Sequence, residues 1–247
     1  MADISRNSIS QPQFQLYDME TWERAEYFHY YMDLIKTRYN LNVNIDITGF
    51  MQVLKEKNLK FFPSMLYIVM RTVNTFREFR TCLDREGRPG YWNFCNPSYT
   101  VFHKDTHTFS DIWSPYSEDF HTFYETVVAD IARYGDVKGV KGRGDRPENF
   151  VPVSSLPWLS FTGYGCDTYS DSRMILPIIL FGKYFEQNGR MLLPFSISVN
   201  HATADGYHSS LFLNTIQKNC DEFAGERAES SCEAMESARA RFCEWHG

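Results

Sequence analysis

Apolar side chains recur along the chain with two different periods, and each change of period marks a change of element. From Trp22 through Phe28, Tyr31 and Ile35 the spacing is helical, and Thr21 stands where a helix cap would. The run LNVNIDIT, residues 41–48, alternates apolar and polar as a half-buried strand does. Leu66, Val69, Val73 and Phe76 return to helical spacing, on a helix that starts near Pro63. Short strands are expected at residues 79–84, 90–95, 98–103 and 107–112, the first two joined across the turn REGRPG. A helix follows at 118–134. Residues 135–149, GDVKGVKGRGDRPEN, have the most loop-like composition in the chain. The tripeptide Arg143-Gly144-Asp145 inside them reads as loop chemistry.

Three longer apolar stretches, 151–162, 174–185 and 190–200, read as central strands. A helix over 206–223 carries Phe212, Ile216, Cys220 and Phe223 on one face, and the last twenty residues read as a further amphipathic helix. No repeat, low-complexity tract or Gly/Ser linker interrupts the series. The expected class is α+β: a large mixed sheet with helices on one face.

Composition narrows this picture. A chain of 247 residues, 43% hydrophobic, can bury a continuous core. With 20 Phe, 15 Tyr and 5 Trp it holds more rings than a core requires, which fits an aromatic-lined pocket as well as an aromatic core. The 31 acidic residues outnumber 25 basic ones, so no nucleic-acid partner is expected. No apolar run approaches the ~20 residues of a membrane helix. The opening MADISRNSISQPQF has no signal-peptide core, and the expected location is the cytoplasm. Six cysteines without a C-x-x-C pair read as free thiols.

The stretch VNHATADGYHSS, residues 199–210, is the richest in chemistry. A strand ends at Val199 and a helix begins after Gly206, so His201 and Asp205 occupy a strand-to-helix corner. Histidine titrates near neutrality and is the usual general base. On spacing alone, Asp205 as a helix cap and His201 as a turn residue fit equally well. His201, Asp205 and His208 could also hold a metal, but no fourth ligand accompanies them, and no metal is expected. G-x-S-x-G, G-x-x-x-x-G-K-[ST] and G-x-G-x-x-G are all missing. A base without an internal nucleophile suits direct transfer, in which the base activates an acceptor.

HATADGYH resembles the H-x-x-x-D-G signature of CoA-dependent acyltransferases. The segments WERAEYFHYY, NIDIT, KFFP, YTVFHKDTHTFSDIWSPY, VSSLPWLSFT, FGKY and LLPFSISVNHATADGYH resemble chloramphenicol acetyltransferases in order and spacing. The likeness spans residues 14–224. It implies a single acetyltransferase domain there, after a tail at 1–13 and before a helical extension at 225–247. It implies a two-layer α/β sandwich, acetyl-CoA as co-substrate, chloramphenicol as acceptor, and a homotrimer with active sites between subunits. His201 then matches the general base and Ser154 the oxyanion donor. Asp205 and Arg24 match a structural ion pair. Tyr31, Tyr30, Phe109 and Tyr164 match acceptor-pocket positions, with Tyr31 meeting the His201 of a neighbouring chain. Lys60, Lys183 and Tyr184 match positions at the nucleotide end of CoA.

Three residues depart from the family's pattern. Asn200 stands where a second His precedes the base. Leu180 replaces a Thr that reaches the transition state through water. Asp111 replaces a small residue beside the acceptor pocket, where a carboxylate would favour a cationic or more polar acceptor.

Overall fold

The structure, a computed structural model, describes residues 11–168 and 172–244, with side chains as far as residue 225. Most of the strands build one seven-stranded sheet. Its strands are β2 (Arg38–Asp46), β5 (Asn96–His103), β6 (Thr108–Trp113), β7 (Phe150–Leu156), β8 (Ile178–Gly182), β9 (Phe185–Gln187) and β10 (Arg190–Asn200). The order is β2-β10-β8-β7-β5-β6, with β9 paired to the start of β10. Only β5–β7 and β7–β8 run parallel. A smaller sheet, β1 (Phe14–Leu16), β4 (Pro89–Trp92) and β3 (Thr81–Leu83), contains the hairpin expected across REGRPG.

Alternation decides which face of the large sheet is covered. Val153, Ile179, Phe195, Ile197 and Val199 point to one side and are buried. Against them lie α2 (Thr48–Glu56), α3 (Phe61–Thr75), α4 (Phe120–Tyr134) and the first turns of α5 (Gly206–Glu244), through Phe50, Leu66, Phe123 and Phe212. The opposite side carries Ser154, Leu180 and Ser196, directly paired across three strands. The connection from β7 to β8 folds over part of that second face. Ser196 and Ser198 hydroxyls donate to the carbonyls of Tyr164 and Cys166 within it. Helices on one face of a mixed sheet make the two-layer architecture.

Several elements differ from the sequence expectation. The helix expected from Trp22 is a short α1 (Ala25–His29) that passes into a π turn over Tyr30–Leu34. Thr21 does not cap it; its hydroxyl donates to Asp18, and Arg24 occupies the cap position. The α2 helix had no counterpart in the sequence reading, although Phe50, Val53 and Leu54 bury one face of it. The last twenty residues continue α5 as far as Glu244 instead of forming a separate helix. Of the expected N-terminal tail, residues 1–10 lie outside the described residues, and Gln11 and Gln13 bond to Asn93.

Candidate active site

The corner after β10 is closed by its own backbone. Asn200 makes an Asx turn, its side-chain oxygen accepting the Ala202 N–H at 2.9 Å. That is the local role of the residue standing where a second His was expected. The next residue, His201, donates its N–H to the Thr37 carbonyl at 2.9 Å, which ties the corner to the entry of β2.

Arg24 holds this corner from the other side. Its Nη1 donates to Asp205 Oδ2 at 2.7 Å and its Nη2 to the His201 carbonyl at 3.2 Å. The Arg24 side chain is only 11% exposed, whereas that of Asp205 is 35% exposed, so the pair is half open on its acidic side. The second oxygen of Asp205 accepts from His208 Nδ1 at 2.8 Å and from the Tyr207 N–H at 3.1 Å. Burial alone would raise the Asp205 carboxyl. Hydrogen bonds from Arg24 and His208 outweigh it and bring the group down to about 2. Asp205 therefore joins the two readings left open by the sequence: it bonds an N–H at the start of α5 and it pairs with Arg24.

The His201 imidazole is held by rings. Tyr31 stacks on it with centroids 3.9 Å apart and planes 6° from parallel, and Tyr39 meets it edge-on at 5.1 Å. Within one chain, then, Tyr31 already lies against His201. Tyr30 stands edge-on to Tyr31 at 5.0 Å and is exposed. His201 Nδ1 is buried without a hydrogen-bond partner. Sequence reasoning missed Tyr39. Its signal was the β2 alternation, which puts Tyr39 on one face with Leu41 and Val43.

The remaining candidates lie elsewhere. Ser154 is mid-strand in β7. Register puts it level with Ser196, two strands across and five residues short of His201. At strand spacings of about 4.8 Å and a rise of about 3.3 Å per residue, one chain keeps Ser154 and His201 roughly 15–20 Å apart. Leu180 is buried directly between Ser154 and Ser196. Phe109 is exposed on β6 opposite Phe102. Tyr164 sits in the connection over the second face, its N–H donated to Asn42.

Lys60 precedes α3 and Lys183 follows β8. The rings of the next residues, Phe61 and Tyr184, meet at 5.3 Å, so these two segments converge. They border an open groove of about 680 Å³ with Lys55 and Arg190 on its wall, at the opposite end of β10 from His201.

Asp111 does not present a free carboxylate. Arg146 Nη1 donates to it at 2.6 Å, and the Ser98 hydroxyl donates to it at 2.8 Å. The Arg146 guanidinium also lies over the Phe150 ring at 3.7 Å. A cationic acceptor would have to displace Arg146, so the expectation of a cation-seeking Asp111 is corrected. Arg143 is similarly spent: it pairs with Asp130 at 2.7 Å and lies over Trp113 at 4.0 Å. The Arg143-Gly144-Asp145 segment is thus tied down, in keeping with its reading as loop chemistry. Among the described residues no three His, Cys, Asp or Glu side chains converge as a metal site would require, and no helix is long and apolar enough to cross a membrane.

Comparison with known proteins places this geometry in a family. The family described as chloramphenicol acetyltransferase matches residues 12–217. A chloramphenicol acetyltransferase of Clostridium perfringens is 44% identical over 87% of this chain and 99% of its own length. One from Staphylococcus aureus is 37% identical over 83% of this chain and 94% of its own. A solved chloramphenicol acetyltransferase superposes with a TM-score of 0.74 at 25% identity, covering 84% of this chain and all of that one. The dihydrolipoamide acetyltransferase of Azotobacter vinelandii shares the fold at 17% identity, with a TM-score of 0.58 over 83% of this chain and 88% of its own. The corner that presents His201, the register that sets out Ser154 and the whole two-layer scaffold thus have one common explanation: the chain belongs to the chloramphenicol acetyltransferase family.

Proposed function

We propose that the protein transfers an acetyl group from acetyl-CoA to a hydroxyl of chloramphenicol, and so inactivates the antibiotic. His201 is the general base. Its outer nitrogen, Nε2, takes the proton of the acceptor hydroxyl as the oxygen attacks the thioester carbonyl. The hydroxyl of Ser154 donates to the oxyanion that forms. The thiolate of CoA leaves and recovers the proton from His201. The observation that carries this reading is the corner itself: an imidazole clamped between rings, on a backbone fixed by Arg24 and Thr37, in a chain of this family.

The test is thiol release from acetyl-CoA with and without chloramphenicol. Release that depends on the acceptor is expected; tight binding of the drug without release would overturn the reading. The neutral Asp111–Arg146 pair supports an uncharged acceptor over a cationic one. Tyr31, Tyr30, Phe109 and Tyr164 are assigned to the acceptor pocket, and Lys60, Lys183 and Tyr184 to the nucleotide end of CoA. Convergence of the two segments that carry them, beside a groove with Lys55 and Arg190 as well as Glu186 on its wall, supports that placement.

The working form is a homotrimer in the cytoplasm. Two observations support the assembly. Ser154 and His201 stand too far apart in one chain to share a carbonyl carbon, so a neighbouring copy must complete each site. Leu34, Ile35, Trp158 and Leu159 are also exposed apolar side chains of the kind an interface covers. The division that the family resemblance implies, a core over 14–224 with an extension at 225–247, is carried over on the same footing.

Ser154→Ala is expected to lower kcat by roughly 10²-fold with little change in KM, because an oxyanion donor acts mainly in the transition state. A raised KM with level kcat would make Ser154 a binding residue. Leu180→Thr puts a hydroxyl between Ser154 and Ser196. Its kcat towards chloramphenicol is expected to hold or rise in the same assay. A large fall would mean that the site is built around the leucine.

A further inference from the structure

The connection from β7 to β8 bonds to β2 and β10, through Asn40, Asn42, Ser196 and Ser198. On the other side of β7 the second face of the sheet keeps Phe102 and Phe109 exposed. A charged pair stands there beside Ser154. Tyr99 lies opposite Val153 and Thr100 opposite Asp111, so Ser154, Thr100 and Asp111 follow one another across three strands. Alternation puts all three on the second face. At a strand spacing of about 4.8 Å, Asp111 is roughly 10 Å from Ser154.

The hydrogen bonds of the pair leave it with one kind of polarity. Ser98 Oγ donates to Asp111 Oδ1 at 2.8 Å and to Oδ2 at 3.0 Å, and Arg146 Nη1 donates to Oδ2 at 2.6 Å. Both carboxylate oxygens are occupied. The same Nη1 reaches Ser98 Oγ at 3.1 Å, and the guanidinium lies over the Phe150 ring. Arg146 is thereby fixed in place, yet its Nε and Nη2 have no protein acceptor among the described residues. The pair is neutral as a whole, but what it offers a ligand is N–H groups alone.

We infer that Arg146, held by Asp111 and Ser98, is a specificity-determining residue: it selects molecules whose far end carries hydrogen-bond-accepting oxygens and disfavours those that carry donors there. This rests on the proposed acetyl transfer to chloramphenicol. The reacting hydroxyl of that molecule belongs at Ser154, and its nitro group is at the opposite end, across a span that one drug-sized molecule covers. The Arg146 side chain is 37% exposed, so water competes for the same N–H groups. Discrimination of about 10-fold is expected, well short of the 10⁴–10⁵-fold of a sealed polar site.

The test uses three compounds that differ only at the para position of the ring: nitro, methylsulfonyl and amino. Binding is read by calorimetry and turnover by thiol release. The parent should bind the nitro and methylsulfonyl compounds within about threefold of each other and the amino compound about 10-fold more weakly. Arg146→Met bares the Asp111 carboxylate, which only accepts, and should reverse the order in favour of the amino compound. Asp111→Ala combined with Arg146→Met removes both charges and should bring all three within about twofold. These changes should fall on KM for the ring compound, with kcat and KM for acetyl-CoA within about twofold of the parent. The double variant leaves no unpaired charge and carries the test if Arg146→Met does not fold. Equal binding of the nitro and amino compounds by the parent, or a parental order in the double variant, would overturn the inference. A parent that keeps the expected order in calorimetry but releases no thiol would defeat the acetyl-transfer reading instead.

Discussion

The His201→Ala variant is expected to turn over at least about 10²–10⁴-fold more slowly than the parent, the range typical of a single general base. The loss should fall on kcat, since the ring takes its proton only as the acceptor oxygen attacks. The fold should survive. The backbone N–H and carbonyl of His201 make the bonds to Thr37 and Arg24, and both remain when the side chain is cut to Ala. Circular dichroism and binding of chloramphenicol by calorimetry separate this outcome from unfolding. Near-parental turnover in a folded variant would sink the assignment of His201 as base.

Asp205→Ala should damage both stability and turnover. Asp205 is partly exposed, so its loss falls below that of a fully buried ion pair. It nevertheless strips Arg24, a nearly buried guanidinium whose Nε already lacks a partner, of its carboxylate. A cost of about 2–3 kcal/mol is expected, above the ~1 kcal/mol of a lost helix cap. Arg24→Ala leaves Asp205 with His208 and the Tyr207 N–H, so the double variant should be less impaired than the sum of the singles. Urea unfolding at fixed protein concentration measures this cycle. A loss near ~1 kcal/mol with additive effects would reduce Asp205 to a cap.

The sign of its pH dependence follows from the depressed carboxyl. The stabilisation is complete above the ordinary carboxyl value of 3.8 and is lost as pH falls through about 2. Acid below pH 4 should therefore narrow the gap between the parent and Asp205→Ala.

Much of the sheet was legible: β2 because a half-buried strand alternates, as Leu41, Val43 and Ile45 do, and β10 because a long apolar run marks a strand buried on both faces. The His201 corner was legible because its motif is local: strand end, turn and helix start all fall within a dozen residues. The α2 helix was missed although Phe50, Val53 and Leu54 have helical spacing, because LNVNIDIT runs into it without a break. Asp46 marks the boundary by accepting the N–H of Thr48. The π turn was out of reach in a different way. Its defining bond, Ile35 N–H to the Tyr30 carbonyl at 3.1 Å, widens the helix where Tyr31 turns to His201, a partner 170 positions away. The pairing of Asp111 with Arg146 was hidden for the same reason: a long loop brings together residues that spacing cannot relate.

The place of β2 at the rim of the large sheet has a consequence for biosynthesis. Among the described residues its only neighbour is β10, the last of the described strands to leave the ribosome. Arg24, translated early, likewise waits for Asp205, 181 positions later. At about 5–20 residues per second the interval is roughly 10–40 s, during which β2 offers an unpaired apolar edge. A nascent chain arrested before β10 would hold neither the clamp around His201 nor a partner for β2. Its fate would be decided by chaperones and by temperature, and cooler expression should raise the yield of folded protein.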